Sequence, residues 1–152
     1  MRALKFLLTF WLAACCSFAA ESATAKVIKV LPQYLDRDGR YAVSPSLFDR
    51  DAYQAHLRRH LQDRSGIQFA VQWKAPHPTA LKLRIELRGA RQKEPTTAVL
   101  EQPVQRRKLF STWTRLKLAG EDYLKFGELI AWRATLWSGA QQVAEQKSFL
   151  WQ

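Results

Sequence analysis

Two histidines four residues apart, His56 and His60, form the pair whose spacing could do chemistry in this chain. On a helix, positions i and i+4 share a face, so two imidazoles there could hold one metal ion. A zincin helix needs a glutamate after the first histidine, and Leu57 stands there instead. The remaining histidine, His77, lies between two prolines, so any third ligand would have to be an Asp or Glu brought in by folding. Without one, the pair is two solvated histidines, and no cofactor is implied.

Asp36, Asp38, Asp49 and Asp51 offer oxygen ligands of the kind calcium takes, but Asp36-Arg37-Asp38-Gly39 lacks the third acidic position and distal Glu of an EF-hand. A turn at Asp36–Gly39 and carboxylates meeting the macrodipole at a helix start, Asp49 and Asp51, are the expected roles. Glu86 and Glu101 fall in candidate strands, where a solvated face accounts for them. No G-x-S-x-G elbow is present, and the six glycines are too scattered to cradle phosphate. The aromatic residues are more suggestive. Trp132 and Trp137 have opposite parity in one strand and must face opposite sides of a sheet. Arg133 shares the Trp137 side, and the pair Arg133 and Trp137 is the candidate surface-binding site, a basic-aromatic platform. The competing expectation is a Trp137 covered by a packed helix.

The elements that would position these residues follow from periodicity. A weakly alternating strand covers 25–31, and a helix covers about 46–63, with Tyr53, Leu57 and Leu61 on one face. Ser44-Pro45 or Ser46 can start that helix, and Gly66 can stop it. The period then becomes two. Ile67, Phe69, Val71 and Trp73 alternate with polar or small residues, as do Leu81, Leu83, Ile85 and Leu87. After a polar connection at 91–95, further strands are expected over 97–104, 109–118, 129–137 and 141–151. The last two join at Ser138-Gly139, and Ile130, Trp132, Ala134 and Leu136 share one face. Pro103 points to an edge or an end. The expected fold is mainly β: an immunoglobulin- or fibronectin III-like antiparallel sandwich with one helix before the main strands, as a single domain over 25–152. A helix in that place leaves α+β as the alternative.

The first twenty residues read as an export signal: a positive start at Arg2 and Lys5, an apolar run over 6–14, then small residues. That run is shorter than the roughly 18 apolar residues of a membrane span. Leu12-Ala13-Ala14-Cys15 matches a lipobox, which makes Cys15 the candidate lipidation site. Cleavage after Ala19 or Ala25 is the alternative. The protein is thus expected in the periplasm, or held at a membrane only through a lipid on Cys15. Both cysteines, Cys15 and Cys16, lie in this segment, so the rest has no disulfide, catalytic cysteine or Cys-based zinc site.

The net charge is +11, and +9 once the two cations Arg2 and Lys5 are set aside. Such a balance favours anionic partners, namely an anionic glycan or lipid surface, or an acidic face of an envelope protein. The basic clusters at Arg58-Arg59 and Arg106-Arg107-Lys108 are small and dispersed, and no nucleic-acid-binding signature is present, so nucleic acid is not an expected partner.

SLFDRDAYQAHLR at 46–58, IQFAVQW at 67–73, FGELIAWRATLW at 126–137 and the terminal SFLW give the chain a resemblance. It resembles an uncharacterised family of small exported bacterial β-sandwich proteins. The resemblance implies a β-sandwich behind an export signal and carries no activity and no site. The expected function is a non-enzymatic binding or structural module of the bacterial cell envelope, acting by surface contact. The alternatives are a small glycan-directed envelope enzyme and a subunit of a secretion or surface complex that adds an edge strand to a neighbour.

Overall fold

Alternation at period two builds the core. Ile67, Phe69, Val71 and Trp73 are all fully buried, and so are, to within a few per cent, Leu81, Leu83, Ile85 and Leu87. Strands with one apolar face can only hide it against each other, which makes a two-layer sandwich. The structure is a computed structural model and describes residues 24–76, 80–105 and 111–152. The lipobox and Cys15, the cleavage site after Ala19, His77 and the start of the strand expected at 109 fall outside them.

Among the described residues seven strands form two antiparallel sheets, and the fold is mainly β. The three-stranded sheet has the order β1 (Lys26–Asp36), β2 (Arg64–Lys74), β5 (Thr112–Ala119). The four-stranded sheet has the order β4 (Glu94–Gln105), β3 (Ala80–Arg91), β6 (Glu128–Ser138), β7 (Gln141–Lys147). Between them lies one continuous core, which also takes in Val27, Val30, Leu116, Leu118, Ala134 and Leu136. Trp73 is its largest fully buried side chain, and its indole nitrogen donates to Thr114 Oγ1 at 2.9 Å.

Several expectations need correction. The helix expected over 46–63 is α1 (Leu47–Arg59) followed by a single 3-10 turn at Leu61–Asp63. Of the two expected starts, Ser46 is the cap: Ser46 Oγ accepts from the Asp49 amide at 3.4 Å. It ends early because His60 leaves helical geometry. β1 continues past Leu31 and through Pro32; as an edge strand with one partner it tolerates the proline. The polar connection at 91–95 is a tight two-residue turn, with Gln92 and Lys93 both at positive φ and Arg91 paired to Glu94. Such turns match strand twist but normally use Asn or Gly, so Gln92-Lys93 carries no local cue.

A second helix, α2 (Gly120–Phe126), was not expected. At seven residues it is too short for periodicity to register, yet it buries Tyr123 and Phe126 at one end of the core. Glycines at its exit are required. Gly127 has φ +81, and a Cβ there would press into the Ala90 carbonyl. A Cβ at Gly89 would stand 2.6 Å from the Phe126 ring.

Ile130 does not face the core with Trp132, Ala134 and Leu136. The β3–β6 register slips between Arg88 and Gly89, so Leu129 turns inward and Ile130 is the extra, half-exposed residue. The last strand ends at Lys147, not at Trp151. The C-terminus is nonetheless tied down: the Ser148 amide donates to the Trp132 carbonyl at 2.9 Å, and Ser148 Oγ accepts from the Trp132 amide at 3.0 Å.

Candidate functional site

The helix α1 collects the residues that looked like chemistry. The His56 and His60 rings stack 4.1 Å apart, and His56 Nε2 lies 3.2 Å from Asp63 Oδ2. Asp63 also pairs with Arg37 at 3.4 Å, and His60 Nδ1 lies 2.9 Å from the carbonyl of His56. Among the described residues no three His, Cys, Asp or Glu side chains come together as metal ligands. The neighbouring depression, about 210 Å³, is bordered by Asp36, Asp38 and Asp63, and each of these carboxylates is ion-paired.

Asp36 is the organiser of this end. Its Oδ1 accepts from the Asp38 and Arg40 amides at 2.9 and 2.8 Å, which folds the expected turn. Its Oδ2 accepts from Tyr53 Oη at 2.6 Å and from Arg40 Nε at 3.0 Å. Burial favours the neutral acid, but the hydrogen bonds from Tyr53 and Arg40 outweigh it and hold Asp36 below the ordinary carboxylate value. A lowered folded pKa stabilises the fold fully above the ordinary value of 3.8, and the contribution is lost as pH falls through the lower folded value. Asp36→Asn is therefore expected to cost about 1–2 kcal/mol near neutrality and to flatten the fall in stability between pH 5 and 3, as read from urea midpoints across that range. A parallel fall in both proteins would refute this role. Asp49 stands in the first turn of α1, where its carboxylate meets the helix dipole.

Gln54, on the same helix, treats the edge of β1 as a partner strand would. Its carbonyl accepts from the Tyr34 amide at 2.8 Å, and its amide donates to the Tyr34 and Tyr41 carbonyls at 2.9 and 2.8 Å. This occupies part of an open edge.

At the end of the sandwich, Leu61, Tyr123, Leu124, Gly127 and Glu128 border a cleft of about 230 Å³ with Arg64 in its wall. The Arg64 side chain is 2% exposed. It donates to the Leu57 and Arg58 carbonyls, pairs with Glu128, and lies 4.0 Å over the Tyr34 ring. Burial opposes its charge, but Tyr123, Tyr34 and Glu128 outweigh burial and raise its pKa further. Burial likewise pushes the Tyr34 and Tyr123 hydroxyls above the ordinary tyrosine value. Among the described residues Glu128 is the one carboxylate bordering this cleft, whereas glycosidase acid–base chemistry uses two.

The expected platform at Arg133 and Trp137 is on the outer face of the four-stranded sheet, as parity required, while Trp132 pairs with Leu87 and packs on the core. Among the described residues no helix covers it; α1 lies against β1 of the other sheet. Its polar groups are engaged. Arg133 pairs with Glu86 at 2.5 Å, and Glu86 also meets Arg84, which reaches Glu101 at 3.0 Å. Trp137 donates to Thr135 Oγ1 at 2.8 Å. Trp151 is folded back beneath Arg88 and Arg133, whose guanidinium carbons are 4.1 and 5.2 Å from its ring. The C-terminal turn has thus taken the place a ligand would occupy over Arg133.

The opposite outer face, on β1-β2-β5, has another character. Cross-strand register sets out its rows: Lys26–Lys74, Lys29–Gln72–Trp113, Leu31–Ala70–Arg115 and Gln33–Gln68–Lys117. All five cations are exposed, and none is in an ion pair among the described residues. No carboxylate lies in these rows, and Asp36, at the far end of β1, is the only one on the three strands. Trp113 is 44% exposed and Ile28, extruded by a bulge in β1, is 37% exposed. At standard strand spacings the rows cover about 10 Å by about 20 Å. Sequence reasoning missed this face, although a signal existed: the windows 22–35, 64–85 and 102–120 contain no Asp or Glu.

Compared with protein-family models, curated proteins and solved structures, the chain gives no significant match to any of them.

Proposed function

We propose that this protein is a non-enzymatic binding module of the bacterial cell envelope that works by surface contact with an anionic partner. The observation that carries the reading is the cationic face of β1-β2-β5, unpaired and carboxylate-free among the described residues, set against an opposite face on which Lys82, Arg84 and Arg133 pair with Glu86 and Glu101. Unpaired cations on a rigid sheet attract anions without first breaking an ion pair, and they do so in a salt-dependent way. The sandwich itself, which we read as immunoglobulin-like from its seven strands, serves as the rigid support. The N-terminal segment is the export signal, with Cys15 either lipidated or lost by cleavage after Ala19 or Ala25.

Purified protein mixed with isolated cell envelopes is expected to sediment with them at low salt and to be released as salt rises. The triple variant Lys29→Gln, Arg115→Gln, Lys117→Gln is expected to stay in the supernatant. Equal sedimentation of both proteins would refute the proposed face. Mass spectrometry of the mature N-terminus decides the fate of Cys15: a start after Ala19 or Ala25 excludes the anchor.

A further inference from the structure

Resting on that reading, we propose that the partner of the β1-β2-β5 face is the headgroup surface of an anionic phospholipid bilayer, with Trp113 at the lipid interface. Three observations favour lipid over a polymer of sugars. First, the amide groups that would read sugar hydroxyls are already engaged: Gln68 donates to Gln33 at 2.8 Å and Gln72 to Ser111 at 2.8 Å. What remains available is charge and apolar surface, which matches a field of headgroups better than a defined hydroxyl pattern.

Second, Trp113 and Ile28 project beside the cations, at the end of the face that holds Lys26 and Lys74. Tryptophan suits a membrane interface because its ring is apolar and its N–H still meets water or headgroups. Third, the chain enters the face at Lys26, eleven residues after Cys15. Eleven extended residues reach at most about 40 Å, so a lipid on Cys15 would hold this end of the face within reach of the bilayer, and tether and basic patch would act together. The face needs no anchor to act, only a weaker affinity without one.

The test uses the mature protein without lipid and protein-free vesicles of phosphatidylcholine, alone or with about a third phosphatidylglycerol. The expected result is sedimentation with the anionic vesicles only, with a blue shift of emission that is absent in Trp113→Phe. Near a charged surface each cation is worth about a fivefold change in binding. The triple variant Lys29→Gln, Arg115→Gln, Lys117→Gln is therefore expected to bind about a hundredfold more weakly. The control Lys93→Gln, Lys147→Gln changes exposed cations outside this face and is expected to lose much less than the matched pair Arg115→Gln, Lys117→Gln. Equal loss in the two pairs would reduce the effect to net charge and overturn the inference. Binding to envelopes or to an acidic polysaccharide, but not to anionic vesicles, would overturn the lipid assignment and leave the proposed function standing. Failure to bind either would remove both.

Discussion

Trp73→Ala is expected to lower the unfolding free energy by about 3–5 kcal/mol, the largest loss available from one side chain in this chain. Trp73 is completely buried near the end of β2, the central strand of the three-stranded sheet, between edge strands that pair with β2 on either side: Val27 opposite it on β1 and Thr112 on β5. Alanine removes the whole indole, and a closely packed interior relaxes into the void only in part. It also removes the donor for Thr114 Oγ1. A hydroxyl can turn to another partner, so this part is worth about 1 kcal/mol. Trp73→Phe, which keeps much of the ring, separates the two and is expected to cost less than half as much. Urea unfolding measures both. The midpoint should fall with the slope unchanged; a loss below 1 kcal/mol for alanine would mean that the core does not close around this residue. Against a total of about 5–15 kcal/mol for a domain, the alanine variant is expected to be only marginally folded.

Arg64→Leu is the second large effect, at about 2–4 kcal/mol. Leucine matches the burial but none of the bonds. The guanidinium holds two orphan carbonyls at the end of α1, those of Leu57 and Arg58, to the first residue of β2, and reaches Glu128 at the start of β6. Three elements thus meet on one planar cation, and Tyr34 stacks beneath it. Removal leaves the two carbonyls without this donor, while Glu128, half-exposed, is resolvated at little cost. Lysine is expected to restore under half of the loss, because one ammonium cannot satisfy a fork of carbonyls and a carboxylate together. Hydrogen exchange locates the effect: amides of α1 should lose protection before those of β2 and β3. Uniform loss across the chain would instead mark Arg64 as an ordinary core residue.

The two variants probe different kinds of information. Trp73 was legible from the sequence, because its place in the series Ile67, Phe69, Val71, Trp73 gave its face at once. Arg64 was not. In the sequence it is one of three residues that stop a helix, Arg64-Ser65-Gly66, and nothing local says that its side chain turns back to bind carbonyls six and seven residues before it and a glutamate 64 residues later. The candidate sites divide in the same way. Parity alone put Arg133 and Trp137 on an outer face. Whether that face was free depended on Trp151, which arrives through a turn at the C-terminus and stacks under Arg88 and Arg133. For His56 and His60 the helix was predicted and the shared face followed, but among the described residues the carboxylate that pairs with them is Asp63, already held by Arg37.

By itself, then, the sequence determined where most strands lie and most of their inward faces, the mainly β class and the Asp36 turn, because side-chain direction in a strand has period two except where a bulge intervenes, and turn geometry is set by neighbours. Only the tertiary structure decided which strands are neighbours, and with them which charges meet. Glu86 and Glu101 are brought to Arg84 and Arg133 on one sheet by register, while Lys26, Lys29, Lys74, Arg115 and Lys117 gather on the other with no ion-paired carboxylate among the described residues. The charges are written in the chain, but electrostatic energy depends on distances between residues far apart in sequence. The cationic face exists only once β1 and β5 have paired on either side of β2.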